Sequence, residues 1–407
     1  MLTSKKITLI GVNFYPEDTA IGLYSTDMAR YFVEKGHTVN VVTGFPYYPQ
    51  WRIKDSYKKK SSFYQEEVDG IRIYRYKQYV PKKPNFIKRI FHLIDFTIGS
   101  WFNLFKIKET DIVISIVPFT STILLGWILK KRRKANLWVH VQDFEFDAAL
   151  QSGVTKSSKG IKTLIFKILF GIEKWLFSKA DIASTISNTM LKKLDRKAKA
   201  ESFFLPNWID ANKINPESAQ KHAYLNSNKF KILYSGNIGD KQNWEFFLEF
   251  IKELDTERTE IIVVGDGAKK EWLLDKIKEY NFVKYFSPVP FEELSDLLCS
   301  ADLHILFQKE DVIDTVMPSK LLGMMASATP SLVTGNIQSE VKKVLDESRG
   351  GYYLSEANVN QVMNVVNNLV DDKTVSQEMG LKAREYIVNR FSKNKILETL
   401  NNKLEEV

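Results

Sequence analysis

The strongest constraint on the fold of this chain is an alternation of buried strands and amphipathic helices that occurs in two series. The apolar run Ile7–Val12 predicts a parallel strand, and Leu23–Lys35 predicts a helix that ends at Gly36. Val39–Thr43 predicts the next strand, so the segment forms a βαβ unit with a right-handed crossover. A second series begins at Phe230–Ser235. The pattern predicts an α/β protein with two Rossmann-like, doubly wound parallel-sheet domains that face a cleft.

The polar stretch Asp210–Lys229 separates the two series and predicts the domain boundary. A chain of 407 residues is long enough for two domains that each bury a core. We therefore expect an N-terminal domain at residues 1–209 and a C-terminal domain at residues 210–385. Residues 386–407 are expected to form a helix that crosses back to the N-terminal domain.

The composition limits the cellular compartment and the classes of binding partner that we expect for this protein. A net charge of +9 indicates an anionic partner, such as a nucleotide, a phospholipid surface or a nucleic acid. No helix-turn-helix signature or aromatic-basic RNA motif is present, so we expect no nucleic acid. The single cysteine, Cys299, excludes an internal disulfide framework and a Cys-rich zinc site, which fits a reducing cytoplasm. The N-terminus lacks a signal-peptide cleavage pattern.

Two segments mix basic residues with large apolar side chains. They are Pro81–Lys108 and Ile161–Lys179. Basic amphipathic helices that carry large aromatic residues suit an anionic membrane interface. The alternative is a pair of helices packed on the sheet with their lysines in water. The apolar stretch Ile112–Leu129 is interrupted by Pro118, and we expect a buried strand and a helix there rather than a membrane span.

The segment Asp314–Pro330 predicts an anion site. Pro318 suits the first turn of a helix because it lacks an N–H group that would have no helical partner there. Ser319 and Lys320 follow at once. Backbone N–H groups, a hydroxyl, an ammonium and the positive end of the helix dipole would then converge on an anion such as a phosphate. The alternative is a capped helix with a solvated lysine.

Other candidate residues lie where predicted strands end, because ligands of parallel α/β sheets bind at the carboxyl ends of the strands. These candidates are the loop Tyr15–Gly22, which lacks a GxGxxG fingerprint; His140, Asp143, Glu145 and Asp147 at or beyond the end of Leu137–Val141; the loop Gly236–Gln242 with Lys241; and the Gly265-Asp266-Gly267 turn. A hydrogen-bonded core position is the alternative for His140. Asp143 and Glu145 could form an acidic metal-binding pair, but two acids at this spacing are common by chance.

The order of these motifs resembles the retaining family-4 glycosyltransferases of the GT-B fold over essentially the whole chain. The motifs are GVNFYPEDTAIGLYSTDMARYFVEKGHTVNVVT, HVQDFE, LPNWID, YSGNIGDKQNWEFFL, VVGDG, ADLHILF and VMPSKLLGMMAS. The sequence is most similar to bacterial enzymes of colanic-acid, O-antigen and capsule synthesis, including the N-acetyl-fucosamine transferase-like group. The segment FPYYPQW at Phe45–Trp51 is a further likeness to that group.

The resemblance implies an activity and its partners. The donor would be a nucleotide-sugar such as UDP-N-acetyl-fucosamine, transferred with retention of configuration and without a metal or other cofactor. The acceptor would be a polyprenyl-diphosphate-linked saccharide, which the N-terminal domain would bind. The protein would then be cytoplasmic and peripheral on the anionic inner face of the plasma membrane.

The resemblance also implies roles for individual residues. Lys241 matches the lysine that holds the donor diphosphate, Gly22 matches the N-domain glycine loop, and Asp143 or His140 matches the position near the reacting centre. The backbone segment that cradles the phosphate corresponds to Pro318, Ser319, Lys320 and Leu321. Asn237, Gly265 and Asp266 complete the predicted nucleotide-binding set, and Asn237 stands where the family has an arginine.

Two family glutamates are missing, which leaves other functions open. Thr315 and Gly323 stand at their positions, so ribose recognition must differ from that of the family. Candidate substitutes are Glu310, Asp311 and Asp314. The alternatives to a transferase are a nucleotide-sugar 2-epimerase and a catalytically degenerate binding subunit.

Overall fold

The computed structural model consists of two compact units. Unit 1 comprises Met1–Pro206 and Leu397–Val407, and unit 2 comprises Asn207–Ile396. The residues that the structure describes are 4–17, 20–144, 161–312, 318–356 and 358–406.

Within the described residues, unit 1 is built on an eight-stranded sheet with the order β3-β4-β2-β1-β5-β6-β7-β8. Its strands are β1 Lys6–Ile10, β2 Thr38–Gly44, β3 Phe63–Val68, β4 Ile71–Tyr76, β5 Ile112–Val117, β6 Asn136–Val141, β7 Ile182–Thr185 and β8 Glu201–Phe204. In that part of the chain every neighbouring pair is parallel except β3 and β4, which are antiparallel. The helices are α1 Ala20–Glu34, α2 Asp55–Lys58, α3 Phe86–Leu104, α4 Ser121–Arg133, α5 Ile161–Phe177 and α6 Asn188–Lys197, and later in the chain α14 Lys393–Glu405.

Unit 2 is built on a parallel sheet of six strands among the residues described, with the order β11-β10-β9-β12-β13-β14. The strands are β9 Phe230–Asn237, β10 Thr259–Asp266, β11 Val283–Phe286, β12 Leu303–Phe307, β13 Ser331–Thr334 and β14 Gly351–Leu354. The helices are α7 Trp244–Lys252, α8 Lys270–Ile277, α9 Leu294–Cys299, α10 Ser319–Ala326, α11 Glu340–Ser348, α12 Val359–Asp371 and α13 Lys373–Phe391, with short 3-10 turns at Ala223–Leu225 and Phe291–Glu293.

The central strands are apolar because helices cover both faces of a parallel sheet. All six residues of β5 (IVISIV) are buried, and so are all five of β12 (LHILF). Polar side chains mark the helix starts: Asn85 accepts a hydrogen bond from Lys88 N at the start of α3, and Asn243 accepts one from Phe246 N at the start of α7. These caps fix where each helix leaves the carboxyl edge of its sheet.

The boundaries between the units differ from the predicted ones. The first falls after Pro206 rather than at 209/210, and the second falls after Ile396 rather than at 385/386. The reason is a local contact within unit 2: Ile209 N donates to Phe391 O at 2.9 Å, and Ile209 forms a bridge with Ser392. Residues just before the polar stretch and the whole of α13 therefore belong to unit 2, and most of α14 belongs to unit 1.

Candidate functional site

The ends of β9 and β10 bring three of the predicted residues together. The register pairs Gly236 with Gly265 and Asn237 with Asp266 at the carboxyl edge of the second sheet. Gly236 has a φ of +136°, which disfavours a side chain. A Cβ atom on Gly265 would lie 2.0 Å from Gly236 O, so the two strand ends can approach this closely only because residue 265 is glycine. Asn237 and Asp266 are both exposed at this edge.

The Lys320 side chain reaches the same strand end. Its Nζ donates to Tyr234 Oη at 3.3 Å and lies 5.0 Å from the centroid of the Tyr234 ring. Tyr234 Oη in turn donates to Asn237 O at 2.6 Å. The Nζ atom also lies 3.4 Å from the point where a Cβ on Gly236 would stand. The ammonium of α10 is therefore held over the end of β9.

Tyr234 is a site residue that the sequence analysis missed. Its side chain is buried, and burial raises the pKa of the phenol above its ordinary value, so the hydroxyl stays protonated. A neutral hydroxyl can accept from Lys320 and donate to Asn237 O at the same time. The signal in the sequence was weak, since an aromatic residue in the apolar strand FKILYSGN also fits a core position.

The N-terminus of α10 presents backbone groups beside this ammonium. Pro318 is the N-cap residue, one position before the helix, and its own side chain makes no capping hydrogen bond. First-turn N–H groups have no partner within a helix, so they and the dipole favour an anion here. Ser319 is exposed, whereas Leu321 is buried in the core and can contribute only its backbone. Pro318, Ser319 and the backbone of Leu321 thus lie together with Lys320 at the N-terminus of one helix.

The Lys241 loop is fixed by its backbone while its side chain is exposed. Lys309 N donates to Lys241 O at 3.0 Å, and Asn243 N donates to Phe307 O at 2.9 Å. These bonds attach the loop after β9 to the end of β12, the strand that precedes α10. The Lys241 side chain makes no hydrogen bond or ion pair with any residue that the structure describes. Its ammonium is available to a ligand at the carboxyl edge.

The positions of the two missing glutamates are only partly described. Gly323 is buried within α10, and a Cβ atom there would lie 3.2 Å from Leu298 Cδ1. A glutamate at position 323 would therefore place its Cβ atom in the packed contact between α10 and Leu298 of α9. Thr315 and Asp314 lie outside the described residues. Glu310 and Asp311 are exposed after β12.

Gly22 lies in the first turn of α1, and not in the preceding loop as the sequence predicted. A Cβ atom there would lie 2.8 Å from Glu17 Cβ, so glycine lets the helix start approach Glu17. Glu17 Oε1 accepts from Tyr47 N at 2.7 Å and from Tyr48 N at 2.8 Å. Asn13 Nδ2 donates to Glu17 Oε2 at 2.8 Å. This buried carboxylate, which the sequence analysis missed, joins the loops after β1 and β2.

Burial raises the pKa of the Glu17 carboxyl, and the hydrogen bonds it accepts and the charge of Arg75 oppose that rise. Arg75 is a second missed residue, with no exposed surface. It forms an ion pair with Glu66 at 2.5 Å and donates to Gly44 O at 3.1 Å. Glu66 lies on β3 and Arg75 on β4. The antiparallel edge strand β3 therefore supplies the carboxylate that neutralises this buried cation.

The two candidates for the position near the reacting centre, His140 and Asp143, differ in their exposure to solvent. His140 is buried in β6, where Nδ1 lies 2.9 Å from Ser184 Oγ and Nε2 lies 2.9 Å from Gln142 Nε2. Burial lowers the pKa of His140 to about 4, so the ring is neutral at pH 7. The geometry favours the core position that the sequence left open for this residue.

Asp143 is exposed two residues beyond the end of β6, and its Oδ1 accepts from Phe144 N at 2.8 Å. Of the two candidates, Asp143 is the one that can reach a substrate. Glu145 and Asp147 lie outside the described residues. Among the residues described, no group of three or more His, Cys, Asp or Glu side chains is placed to hold a metal ion.

A continuous apolar face is exposed along α3. Its residues are each between 39% and 64% exposed. They are Ile87, Ile90, Phe91, Ile94, Ile98, Trp101, Phe102 and Phe105, and we refer to them as the α3 apolar face. Their spacing of three and four residues places them on one side of the helix, and the opposite side buries His92 and Phe96. Exposed apolar residues also occur on α5, at Ile168, Ile172 and Trp175.

Cations flank these apolar residues. Arg132 lies 4.3 Å from the Phe105 ring centroid, Lys106 lies 5.6 Å from that of Phe63, and Lys179 lies 4.8 Å from that of Trp175. None of the helices in the described ranges has the length and apolar character that a bilayer crossing requires.

Known proteins with similar sequences indicate the family of this chain. Residues 216–386 match the family Glycosyl transferases group 1. A protein of Escherichia coli (strain K12) named as colanic acid biosynthesis glycosyl transferase WcaI is 31% identical over 357 residues, which covers 85% of this chain and 87% of that protein. The N-acetyl-alpha-D-glucosaminyl L-malate synthase of Bacillus anthracis is 19% identical, with 95% of this chain and 94% of that protein covered.

Solved structures share the fold. The sucrose-phosphate synthase of Thermosynechococcus elongatus superposes with a TM-score of 0.76 at 13% identity, covering 99% of this chain and 98% of that chain. Anabaena HepE, solved in complex with UDP and glucose, superposes with a TM-score of 0.69 at 12% identity, covering 99% of this chain and 100% of that chain.

Two parallel-sheet α/β units with this likeness define the GT-B fold. The fold class predicted from the sequence is confirmed at that level. Since 31% identity extends over most of both proteins, the chain belongs to the family of group 1 glycosyl transferases, enzymes that move sugars from nucleotide-sugars.

Proposed function

We propose that this protein is a retaining, metal-independent transferase that moves a sugar from a UDP-sugar to a polyprenyl-diphosphate-linked saccharide in cell-surface polysaccharide synthesis. The observation that carries the proposal is the Lys320 ammonium held by Tyr234 over the end of β9, beside the start of α10. The colanic acid protein that this chain resembles supports the polysaccharide context. HepE, which binds UDP-glucose, supports UDP as the nucleotide.

The chemistry of sugar transfer explains why cations are needed beside the donor diphosphate. When the bond between the sugar and the diphosphate breaks, negative charge grows on the leaving diphosphate. An ammonium and a helix N-terminus aimed at that charge stabilise the transition state, and loss of one such donor typically lowers turnover about 10²–10³-fold. We assign this work to Lys241 and Lys320, and we place Asp143 near the reacting carbon. A donor of N-acetyl-fucosamine fits the proposal as one possible sugar.

Calorimetric titration with UDP, GDP and NAD in EDTA tests the nucleotide site. We expect UDP to bind the wild type without a metal and to bind Lys241→Ala at least about tenfold more weakly, because an uncompensated diphosphate charge would remain. Thermal unfolding of Lys241→Ala should match the wild type, since the side chain has no partner among the described residues. Lys252→Ala, which removes an exposed lysine at the end of α7, is the matched control.

A negative result in this titration, or isomerisation in a separate incubation with a UDP-sugar alone, would point to other functions. If no nucleotide binds, the chain is a degenerate binding subunit and α10 is merely a helix with a solvated lysine. If UDP-sugar is isomerised in the absence of any acceptor, the protein is a nucleotide-sugar 2-epimerase. The anomeric configuration of the product, read by NMR, checks retention.

We propose further that the α3 apolar face docks on the anionic inner face of the plasma membrane, where a lipid-linked acceptor is held. Large apolar patches on a protein surface mark interaction sites, and basic residues beside them favour anionic lipids. Neutralising Lys82, Lys83, Lys88 and Arg89 with glutamine should sharply reduce flotation with phosphatidylglycerol vesicles.

The control variant carries four glutamines at exposed lysines of unit 2, namely Lys252, Lys276, Lys343 and Lys382. It removes the same charge and should float like the wild type. Equal flotation of both variants would exclude this docking surface.

A further inference from the structure

A cluster of aromatic side chains lies at the carboxyl edge of the first sheet. Tyr47 and Trp51 follow β2, Phe119 follows β5, and His92 belongs to α3. The His92 ring centroid lies 4.8 Å from that of Tyr47, 5.5 Å from that of Phe119 and 5.9 Å from that of Trp51. Side chains from two loops therefore converge on one buried histidine of α3, and we call these four residues the aromatic cluster.

The hydrogen bonding of His92 determines its tautomer. Nδ1 contacts Tyr79 O, and a carbonyl can only accept, so Nδ1 carries the proton. Burial lowers the pKa of His92, which keeps the ring neutral at pH 7 and leaves a lone pair on Nε2. That Nε2 is buried and has no hydrogen-bond partner among the described residues. A buried acceptor without a donor is costly, and few native polar groups are left in that state.

Trp51 has an unusual backbone and a partly exposed side chain. Its φ of +51° is in the left-handed region, which is rare for a bulky residue and often marks a functional segment. Its ring lies 5.4 Å from Tyr47, and the Arg89 guanidinium lies 5.2 Å from its centroid. The loop thus holds a partly exposed indole near both the His92 ring and the Arg89 guanidinium.

We infer that the aromatic cluster is a saccharide subsite for the acceptor, with Trp51 as the stacking surface. A shift of the partly exposed Trp51 side chain on binding would open the buried Nε2 of His92 to a sugar hydroxyl, which donates to it. A pyranose ring has an apolar face and hydroxyl donors, which are the two features that an indole and a bare imidazole nitrogen recognise. This inference rests on the proposed function, because it names the part of unit 1 that would bind the acceptor sugar.

The surroundings fit a sugar attached to a lipid diphosphate. Arg89 follows Ile87 of the α3 apolar face by two residues and contacts Trp51 of the aromatic cluster. A phosphate next to a sugar stacked on Trp51 would meet this guanidinium, which suits phosphate recognition. The lipid would then lie along the α3 apolar face. One helix would serve both the lipid and the sugar of the acceptor.

Saturation-transfer NMR on the full chain tests the subsite. The probes are octyl glucoside, octyl galactoside and octyl N-acetylglucosaminide below their micelle concentrations, with octanol as the alkyl control. We expect transfer to the ring protons of at least one glycoside, reduced about tenfold in Trp51→Ala and largely retained in Trp51→Phe, which keeps an aromatic face. His92→Phe keeps the ring volume but removes the lone pair, and it should also weaken the transfer.

Trp272→Ala is the matched control, since it removes a partly exposed tryptophan of α8 in unit 2 that, like Trp51, lies beside a cation, the Lys269 ammonium at 5.6 Å. Its ring-proton transfer should equal that of the wild type. Undiminished transfer in Trp51→Ala would overturn the inference, and so would transfer confined to the octyl chain. Trp51 is partly exposed, so its variants decide the matter even if His92→Phe fails to fold. UDP titration of the same variants reports on the nucleotide site separately, so failure of the subsite and failure of the proposed transferase are distinguishable.

Discussion

His140 shows how one residue can look catalytic in a sequence and be structural in the fold. It stands at the end of a strand, where substrates bind, but Ser184 and Gln142 occupy both of its ring nitrogens. The sequence could place His140 at the carboxyl edge, because the strand period and the polar residues that follow it are visible. It could not show that β7 supplies a partner, since that contact depends on which strands are neighbours.

The titration of His140 gives a prediction for stability. Its folded pKa, about 4, lies below the ordinary value of 6.5, so the unfolded state binds more protons below pH 6.5. The free energy of unfolding should therefore fall as the pH drops from about 6.5 to about 4, by at most about 1.4 kcal/mol per pH unit from this group. Urea unfolding at pH 7 and pH 5 measures the difference.

His140→Gln should show a smaller difference between the two pH values than the wild type. His304 is buried in β12 and has its pKa lowered to about 3, so it adds a dependence of the same sign that persists in the single variant. An unchanged pH dependence in His140→Gln would mean that the histidine is charged or exposed in the folded protein.

At the scale of elements, the close approach of β9 and β10 shapes the nucleotide site. Gly265→Ala should lower the free energy of unfolding by at least about 2 kcal/mol, because its Cβ would stand 2.0 Å from Gly236 O. Gly171→Ala is the control, since that position in α5 has open space, and alanine there should be neutral or slightly stabilising. Denaturant unfolding of both variants gives the comparison, and equal stabilities would contradict the described strand contact.

The regular elements were largely predictable, and the exceptions have physical reasons. Apolar runs such as Ile7–Val12 and Phe230–Ser235 predicted their strands, because parallel strands are buried on both faces. β3 was missed because FYQEEV is an edge strand with alternating exposure and no residue of it is buried. The start of α1 was placed too late because glycine is a poor helix former, yet Gly22 stands in the first turn, where the close approach of Glu17 requires it.

For the whole molecule, the return of the chain to unit 1 makes a prediction. Leu397, Leu400 and Leu404 of α14 are fully buried, and Lys5 Nζ donates to Leu404 O at 2.6 Å. Removing Leu397–Val407 should destabilise unit 1 by roughly 5 kcal/mol or more, given about 1.5–3 kcal/mol for each buried leucine. Calorimetry should show a lower transition for unit 1.

Removing only residues 405–407 is the control, because Glu405 and Glu406 are exposed. That shorter truncation should unfold like the full chain. If the longer truncation also does so, α14 contributes little to unit 1.

The division into two units was visible in the polar stretch Asp210–Lys229, but its limits were not. Ile209 and Phe391 are apolar residues near predicted boundaries, and their backbone contact and their packing on the core of unit 2 assign both to that unit. The likeness in motif order could indicate a nucleotide site around Lys241 and Lys320, whereas Tyr234 and Glu17 owe their positions to partners that are distant in sequence.

The location of α14 also has a consequence for synthesis on the ribosome. Unit 2 is a continuous segment, so all of its residues are synthesised before Leu397–Val407, the segment that returns to unit 1. Domains generally fold as units during translation, N-terminal ones first. Here the N-terminal unit must wait for Leu397–Val407 to complete its core. A nascent chain that terminates early would carry a finished unit 2 and an open unit 1, a form that proteases and chaperones can recognise.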